Sequence, residues 1–172
     1  RRLIGTRQLL PGEKVRQEEL SEQLGISRSP LREALRSLAA GGIVSHVPNR
    51  GYIVTRLSPS DIKQVYLIRR VLETEILRTL RTPTEEDLTE LQDINASIVN
   101  AALEPSATAS VVVAGGASRR FHFTIFELSP LTLVRRELEH LWDNAEQYRA
   151  TYLWDPAGRQ RIVTEHLQML EA

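Results

Sequence analysis

Leu20–Gly42, LSEQLGISRSPLREALRSLAAGG, constrains this chain more than any other stretch. It reads as helix, tight turn, helix. Leu20 and Leu24 stand four apart, which places them on one face of a short first helix. Gly25 permits the sharp turn, because it accepts backbone angles that other residues resist. Ile26 is expected to anchor the turn with an apolar side chain. Ser27 and Ser29 are candidate N-caps, and Pro30 falls in the first turn of the next helix, where its missing N–H costs little. Gly41-Gly42 is the expected stop.

The second helix carries two stripes. Leu31, Ala34, Leu35 and Leu38 follow the spacing of a core-facing side. Arg28, Arg32 and Arg36 step by four residues and make a basic stripe beside it, with Ser29 among them. Guanidinium forks pair with guanine edges or phosphates, and serines donate to phosphates, so such a helix suits a DNA major groove. An ordinary surface helix with solvated arginines fits this helix alone equally well.

The next stretch decides between the two. Ile43–Val47 and Tyr52–Leu57 are short and rich in β-branched residues, and Pro48-Asn49-Arg50-Gly51 lies between them. That pattern predicts a hairpin with a charged tip. Helix-turn-helix followed by a two-stranded wing is the winged-helix plan, and the tip residues Asn49, Arg50 and Gly51 are placed to touch a nucleic-acid backbone or minor groove. Charge agrees. The chain is neutral overall, yet residues 1–57 hold ten Lys/Arg and five Asp/Glu, while residues 58–172 hold twelve and seventeen. The basic half is the half with the winged-helix pattern, as an electrostatic footprint for DNA requires.

The run LLPGEKV…EELSEQLGISRSPLREALRSLAAGGIV…PNRGYIV resembles the DNA-binding domain of the GntR family of bacterial transcription regulators, over about Leu9 to Leu57. The resemblance implies that Arg28, Ser29, Arg32, Asn49, Arg50 and Gly51 contact an operator, and the basic stripe adds Arg36. Val65–Glu73, VYLIRRVLE, with the later FHF and EH pairs, resembles the helical ligand-sensing domain of the FadR-type branch, called FCD. The expected fold is mainly α: an N-terminal winged helix-turn-helix over 1–57, a linker at 58–60, and an all-α bundle over 61–172. The family pattern also implies a few more residues before Arg1 and at least one more helix after Ala172.

Helical spacing from Asp61 onward supports the bundle. Ile62, Val65, Tyr66, Arg69, Leu72, Ile76 and Leu80 share a side, and Arg69 and Glu73 form an i, i+4 pair. Pro83 ends this helix, and Thr84-Glu85-Glu86-Asp87 opens the next with a capping-box-like start, followed by Leu88, Leu91 and Ile98. Glu104–Ser118 contains Pro105, Val111–Val113 and Gly115-Gly116, and a loop or frayed helix start is expected there. Arg119–Leu128, Leu131–Leu153 and Arg159–Leu170 read as helices, with a turn at Asp155–Gly158.

FCD domains resembling this one hold a metal through D-x-x-x-H on one helix and histidines on later ones. His122 and His166 match two of those positions, so a divalent metal such as zinc is the implied cofactor. Ser118 stands at the Asp position, and a further histidine would lie beyond Ala172. A lone inward histidine is more often a hydrogen-bonded core residue. Arg69 and Arg149 are candidates to hold the carboxylate of a small organic acid; each is also placed to pair with Glu73 or Glu146. His46 and His140 read as surface residues.

The expected function is a DNA-binding transcription regulator, by default a repressor, whose operator affinity answers to a small metabolite. A homodimer follows, because one recognition helix reads only a half-site. A metal-dependent enzyme on the helical half and a protein-binding adaptor are the competing readings. The enzyme ranks behind, since the sequence contains no HExxH, phosphate loop, nucleophile elbow or cysteine. Zero cysteines and no long apolar run suit a reducing cytoplasm rather than a membrane.

Overall fold

A computed structural model of the chain describes residues 2–103, 107–153 and 155–171. The elements run α1 (Arg2–Gly5), α2 (Gln17–Leu24), α3 (Arg28–Ala40), β1 (Val44–Val47), β2 (Gly51–Val54), α4 (Pro59–Arg78), α5 (Glu85–Leu103), α6 (Ala107–Phe126), α7 (Thr132–Leu153) and α8 (Pro156–Glu171). The fold is a winged helix followed by a helical bundle.

The winged helix closes on one apolar cluster: Ile4, Val15, Leu20, Leu31, Leu35, Ile43, Val44, Tyr52 and Val54. β1 and β2 pair antiparallel with Val44 opposite Val54 and Val47 opposite Gly51. Their alternation puts Tyr52 and Val54 inward. Asn49 takes a positive φ of 61° at the tip, a conformation asparagine tolerates better than most residues. Lys14 bridges Ile53 on the outer edge of β2, and the Val15 N–H donates to the Tyr52 carbonyl at 2.8 Å. The chain before α2 therefore shields an edge that would otherwise be open.

The helix-turn-helix differs in detail from its sequence pattern. Leu20 is buried, but Leu24 is 48% exposed and Ile26 39% exposed; Ala34 is exposed too. Backbone bonding holds the turn instead. Gly25 sits at φ 63° and donates to the Glu22 carbonyl. The Ile26 N–H donates to the Ser21 carbonyl at 3.1 Å, and the Ser21 hydroxyl donates to the Ile26 carbonyl. With its ends so tied, the turn needs no buried apolar anchor. Ser27 occupies the N-cap of α3 without a side-chain cap bond.

Among the described residues, the bundle has three apolar clusters, centred on Ile98–Val111–Val163, on Ile76–Leu138–Trp142 and on Leu91–Ile94–Phe121. Ser58 caps α4, with the Asp61 N–H donating to the Ser58 hydroxyl at 3.1 Å and Ser58 N–H to the Asp61 carboxylate at 2.9 Å. Thr84 and Asp87 repeat the device at α5, where Arg81 also clasps Asp87 at 2.6 and 2.9 Å. Leu91 and Ile98 face inward as expected, whereas Leu88 is 38% exposed.

The expected loop at Glu104–Ser118 is helical from Ala107 onward, and α6 runs unbroken through the stretch expected to begin a helix at Arg119. Residues 104–106 lie outside the described residues. Val111 and Ala114 are buried against Ile98, Ala101 and Val163. Small side chains let α5 and α6 approach closely, and that packing outweighs the weak helix propensity of valine and glycine. The expected turn at Asp155–Gly158 is the first turn of α8. Pro156 takes the first helical position, and the Asp155 carboxylate accepts the Ala157 N–H at 3.2 Å.

Two outcomes follow. Leu31→Ala is expected to cost about 2–5 kcal/mol, and Leu24→Ala no more than about 0.5 kcal/mol, in denaturant unfolding. Hydrogen bonds from Arg81 and Thr84 hold the Asp87 carboxyl well below the usual carboxylate range. A carboxyl depressed in the folded state stabilises above its unfolded value, near pH 4, and loses that contribution as pH falls. Asp87→Ala should therefore lower the thermal midpoint clearly at pH 7, by a somewhat smaller amount at pH 3, and by little only once the pH falls to the folded-state value, as circular-dichroism melts would show.

Candidate functional site

α3 buries Leu31 and Leu35 at 3% exposure each. That fixes its rotation, and Arg28, Ser29, Arg32 and Arg36 are left exposed on the adjoining flank. Arg28, Arg32 and Arg36 line one open groove of about 930 Å³ between the helix-turn-helix and the wing. Lys14, Arg16 and His46 line it too. Sequence reasoning marked none of the three as a site residue. Lys14 and Arg16 lie in the turn before α2, and the Lys14–Ile53 bridge together with the Val15 and Gly12 N–H bonds to the Tyr52 and Val54 carbonyls carries that segment to the wing. His46 is exposed, as expected, but its ring stands 5.0 Å from that of Tyr52 on the groove wall.

The groove is not uniformly basic. Glu18 pairs with Arg28, and Glu19 pairs with Arg16 at 3.0 Å. Both pairs are exposed, and such pairs contribute little to stability. Arg28 can therefore exchange a carboxylate for a phosphate at small cost. Asn49 and Arg50 are exposed at the wing tip, outside the residues lining the groove. The Arg50 N–H closes the tip on the Val47 carbonyl at 3.1 Å. Gly51 is half-buried, and a Cβ there would lie 3.8 Å from Gln17 at the start of α2. The wing thus stands against the helix-turn-helix.

In the bundle, Arg69 is 8% exposed. Its Nε donates to Glu73 Oε1 at 3.0 Å, and Nη2 stands 3.0 Å from the same oxygen as an ion pair. The same oxygen accepts the Trp142 indole N–H at 2.9 Å, and the guanidinium carbon lies 4.1 Å from the Trp142 ring centre. A buried charge so paired is tolerated, whereas an unpaired one would not be. Arg69 Nη1 is buried and meets no hydrogen-bond acceptor among the described residues. Arg149 lies in α7 with its side chain outside the described residues.

The structure brings His122 and His166 together. Their Nε2 atoms are 3.3 Å apart, Phe121 stacks on His166 at 4.1 Å, and Trp142 lies 5.1 Å from His122. Ser118 is buried on the same helix as His122. Two imidazole nitrogens converge, yet among the described residues no group of three or more His, Cys, Asp or Glu side chains is placed to hold a metal ion. A closed tetrahedral site needs four ligands, and an open one three. The described side chains therefore do not fit the metal centre that the FCD resemblance implied, because serine replaces the carboxylate one turn before His122. Asn95 of α5 and Arg159 of α8 are also buried, which sequence reasoning missed; each sits on a helix whose polar residues otherwise read as solvated.

Among the described residues, no helix is long and apolar enough to cross a membrane. A family model described as bacterial regulatory proteins, gntR family, matches residues 1–54. A second, the FCD domain, matches residues 64–172. The chain is 31% identical over 128 residues to an uncharacterized HTH-type transcriptional regulator of Agrobacterium vitis, covering 73% of each. It is 26% identical over 162 residues to the uncharacterized HTH-type transcriptional regulator YdhC of Bacillus subtilis, covering 94% of this chain and 71% of that one. The solved structure of E. coli McbR/YncC shares the fold, with a TM-score of 0.70 at 21% identity, over 98% of this chain and 89% of that one. The matched models span both the winged helix and the bundle, and the chain belongs to the GntR family of DNA-binding transcription regulators, in the branch that carries an FCD domain.

Proposed function

We propose that the chain is a homodimeric, metabolite-responsive repressor in which residues 1–57 bind an operator and the helical bundle, which α4 opens directly at the expected linker 58–60, senses the effector. The observation that carries the DNA assignment is the groove shared by Arg28, Arg32 and Arg36 on a helix whose other side is locked into the core. α3 enters the major groove, Arg32 and Arg36 reach base edges or phosphates, and Asn49, Arg50 and Gly51 rest on the neighbouring backbone. Lys14 and Arg16 add phosphate contacts. A half-site read by one helix is short, and a second copy doubles it. Leu67, Ile68, Val71 and Leu77 are exposed on α4, apolar surface that a second copy would cover.

The effector is a small organic acid. Arg69 Nη1 offers a buried donor beside the Trp142 ring, and a carboxylate there would complete the satisfaction of the guanidinium. Binding in the bundle shifts the relative placement of the winged helices, and the coupling between effector and operator is reciprocal.

Fluorescence anisotropy with a duplex of the intergenic DNA upstream of the gene tests the DNA assignment. Arg32→Ala is expected to weaken binding by about 5- to 150-fold, the equivalent of about 1–3 kcal/mol. Raising the salt concentration should weaken binding by the native chain steeply, through counterion release. Unchanged affinity for Arg32→Ala, or binding insensitive to salt, would overturn the recognition-helix assignment.

A further inference from the structure

Within seven residues, α7 touches both halves of the molecule. Toward the bundle, Trp142 donates to Glu73 of α4 at 2.9 Å, and Asp143 pairs with Arg119 of α6 at 3.5 Å. Toward the winged helix, Asn144 lies against Gly42, where a Cβ would come 3.4 Å from its amide oxygen. One turn further on, the Tyr148 hydroxyl accepts the Leu57 N–H at 2.7 Å and donates to the Leu57 carbonyl at 3.1 Å. Leu57 immediately precedes Ser58, the N-cap of α4.

One hydroxyl that engages both backbone groups of a single residue sets that residue's orientation as well as its position. The chain itself supplies only one attachment between the halves, the peptide running from Leu57 into α4. About a single attachment, the winged helix is free to swivel. Tyr148 supplies a directional attachment through a different helix, beside the packing of Asn144 on Gly42, and together with the peptide it removes the swivel. α7 is rigid over the interval, since Trp142 and Tyr148 are separated by roughly 9 Å of continuous helix. Repacking around Trp142, whose ring lies 5.1 Å from that of His122, is therefore delivered to Leu57.

We propose that Tyr148 is a positioning residue that couples the packing of the helical bundle to the placement of the winged helix, through its paired hydrogen bonds to Leu57. The proposal rests on the reading that the winged helix binds DNA, and the test separates the two. Both tryptophans of the chain, Trp142 and Trp154, lie beyond Leu57, so tryptophan fluorescence reports melting of the helical half alone. A duplex of the upstream intergenic DNA should raise that melting midpoint in the native chain, because binding to one half stabilises whatever is coupled to it. In Tyr148→Phe, which keeps the ring and loses only the hydroxyl, the rise should shrink toward zero while a gel shift shows the duplex still bound. An undiminished rise in Tyr148→Phe overturns the coupling, as does a native chain that binds the duplex with no rise at all. If neither chain binds the duplex, the DNA reading fails, and hydrogen exchange of the DNA-free chains decides the remainder. The Leu57 amide should be protected in the native chain and lose that protection in Tyr148→Phe; equal exchange in both would overturn the clamp.

Discussion

Leu31 and Leu35 are each 3% exposed, and the rest of the DNA-facing surface depends on their burial. A helix has one rotational freedom about its axis, and burying two leucines four residues apart removes it. Arg28, Arg32 and Arg36 share that same four-residue step, so they are carried together to one side. The apolar core of the winged helix is thus also the device that aims the guanidinium groups. On an unanchored helix the same stripe would point in no fixed direction. Here Val15, Ile43, Val44, Tyr52 and Val54 complete the seat on which α3 rests, and the wing stands beside the helix because the same residues form it.

The bundle solves a different problem, burying polar groups. Arg69, Asn95, Arg159 and His166 are all buried, and each must find a partner or remain costly. Glu73 answers for Arg69 and at the same time for the Trp142 indole. That single carboxylate joins α4 to α7, the two helices that meet the winged helix, α4 through its own peptide and α7 through Tyr148. A polar centre held this way is more directional than an apolar one, since shifting either helix breaks specific bonds rather than sliding one surface over another. The histidine pair sits beside it, with Ser118 one turn before His122, so the interior offers hydrogen-bonding groups where the family pattern has a carboxylate ligand.

Much of the helix-turn-helix, the wing and the order of the bundle helices was legible in the chain, because those features rest on local rules. Spacing of three and four placed the core leucines of α3, Thr84 announced its capping box, and Pro-Asn-Arg-Gly announced the hairpin. The failures share a cause. Leu24, Ile26 and Ala34 have apolar identity at apolar spacing, yet backbone bonds hold the turn and leave them outside. Glu104–Ser118 looks unlike a helix by composition, yet α6 starts at Ala107 because α5 and α8 cover it. In both places, packing between distant segments outweighed local preference.

By itself, then, the amino-acid sequence determined which residues are arginines at a four-residue step, which segments are amphipathic, where caps begin helices and how charge divides between the two halves. These are properties of neighbours along the chain. Only the tertiary structure decided that Lys14, Arg16 and His46 join the arginine groove, that Glu73 serves Arg69 and Trp142 together, and that Tyr148 reaches Leu57. Such contacts join residues up to 91 positions apart, and no local periodicity encodes them. They exist because burying apolar faces brings separate helices to fixed distances, and the polar groups then pair with whatever those distances put in reach.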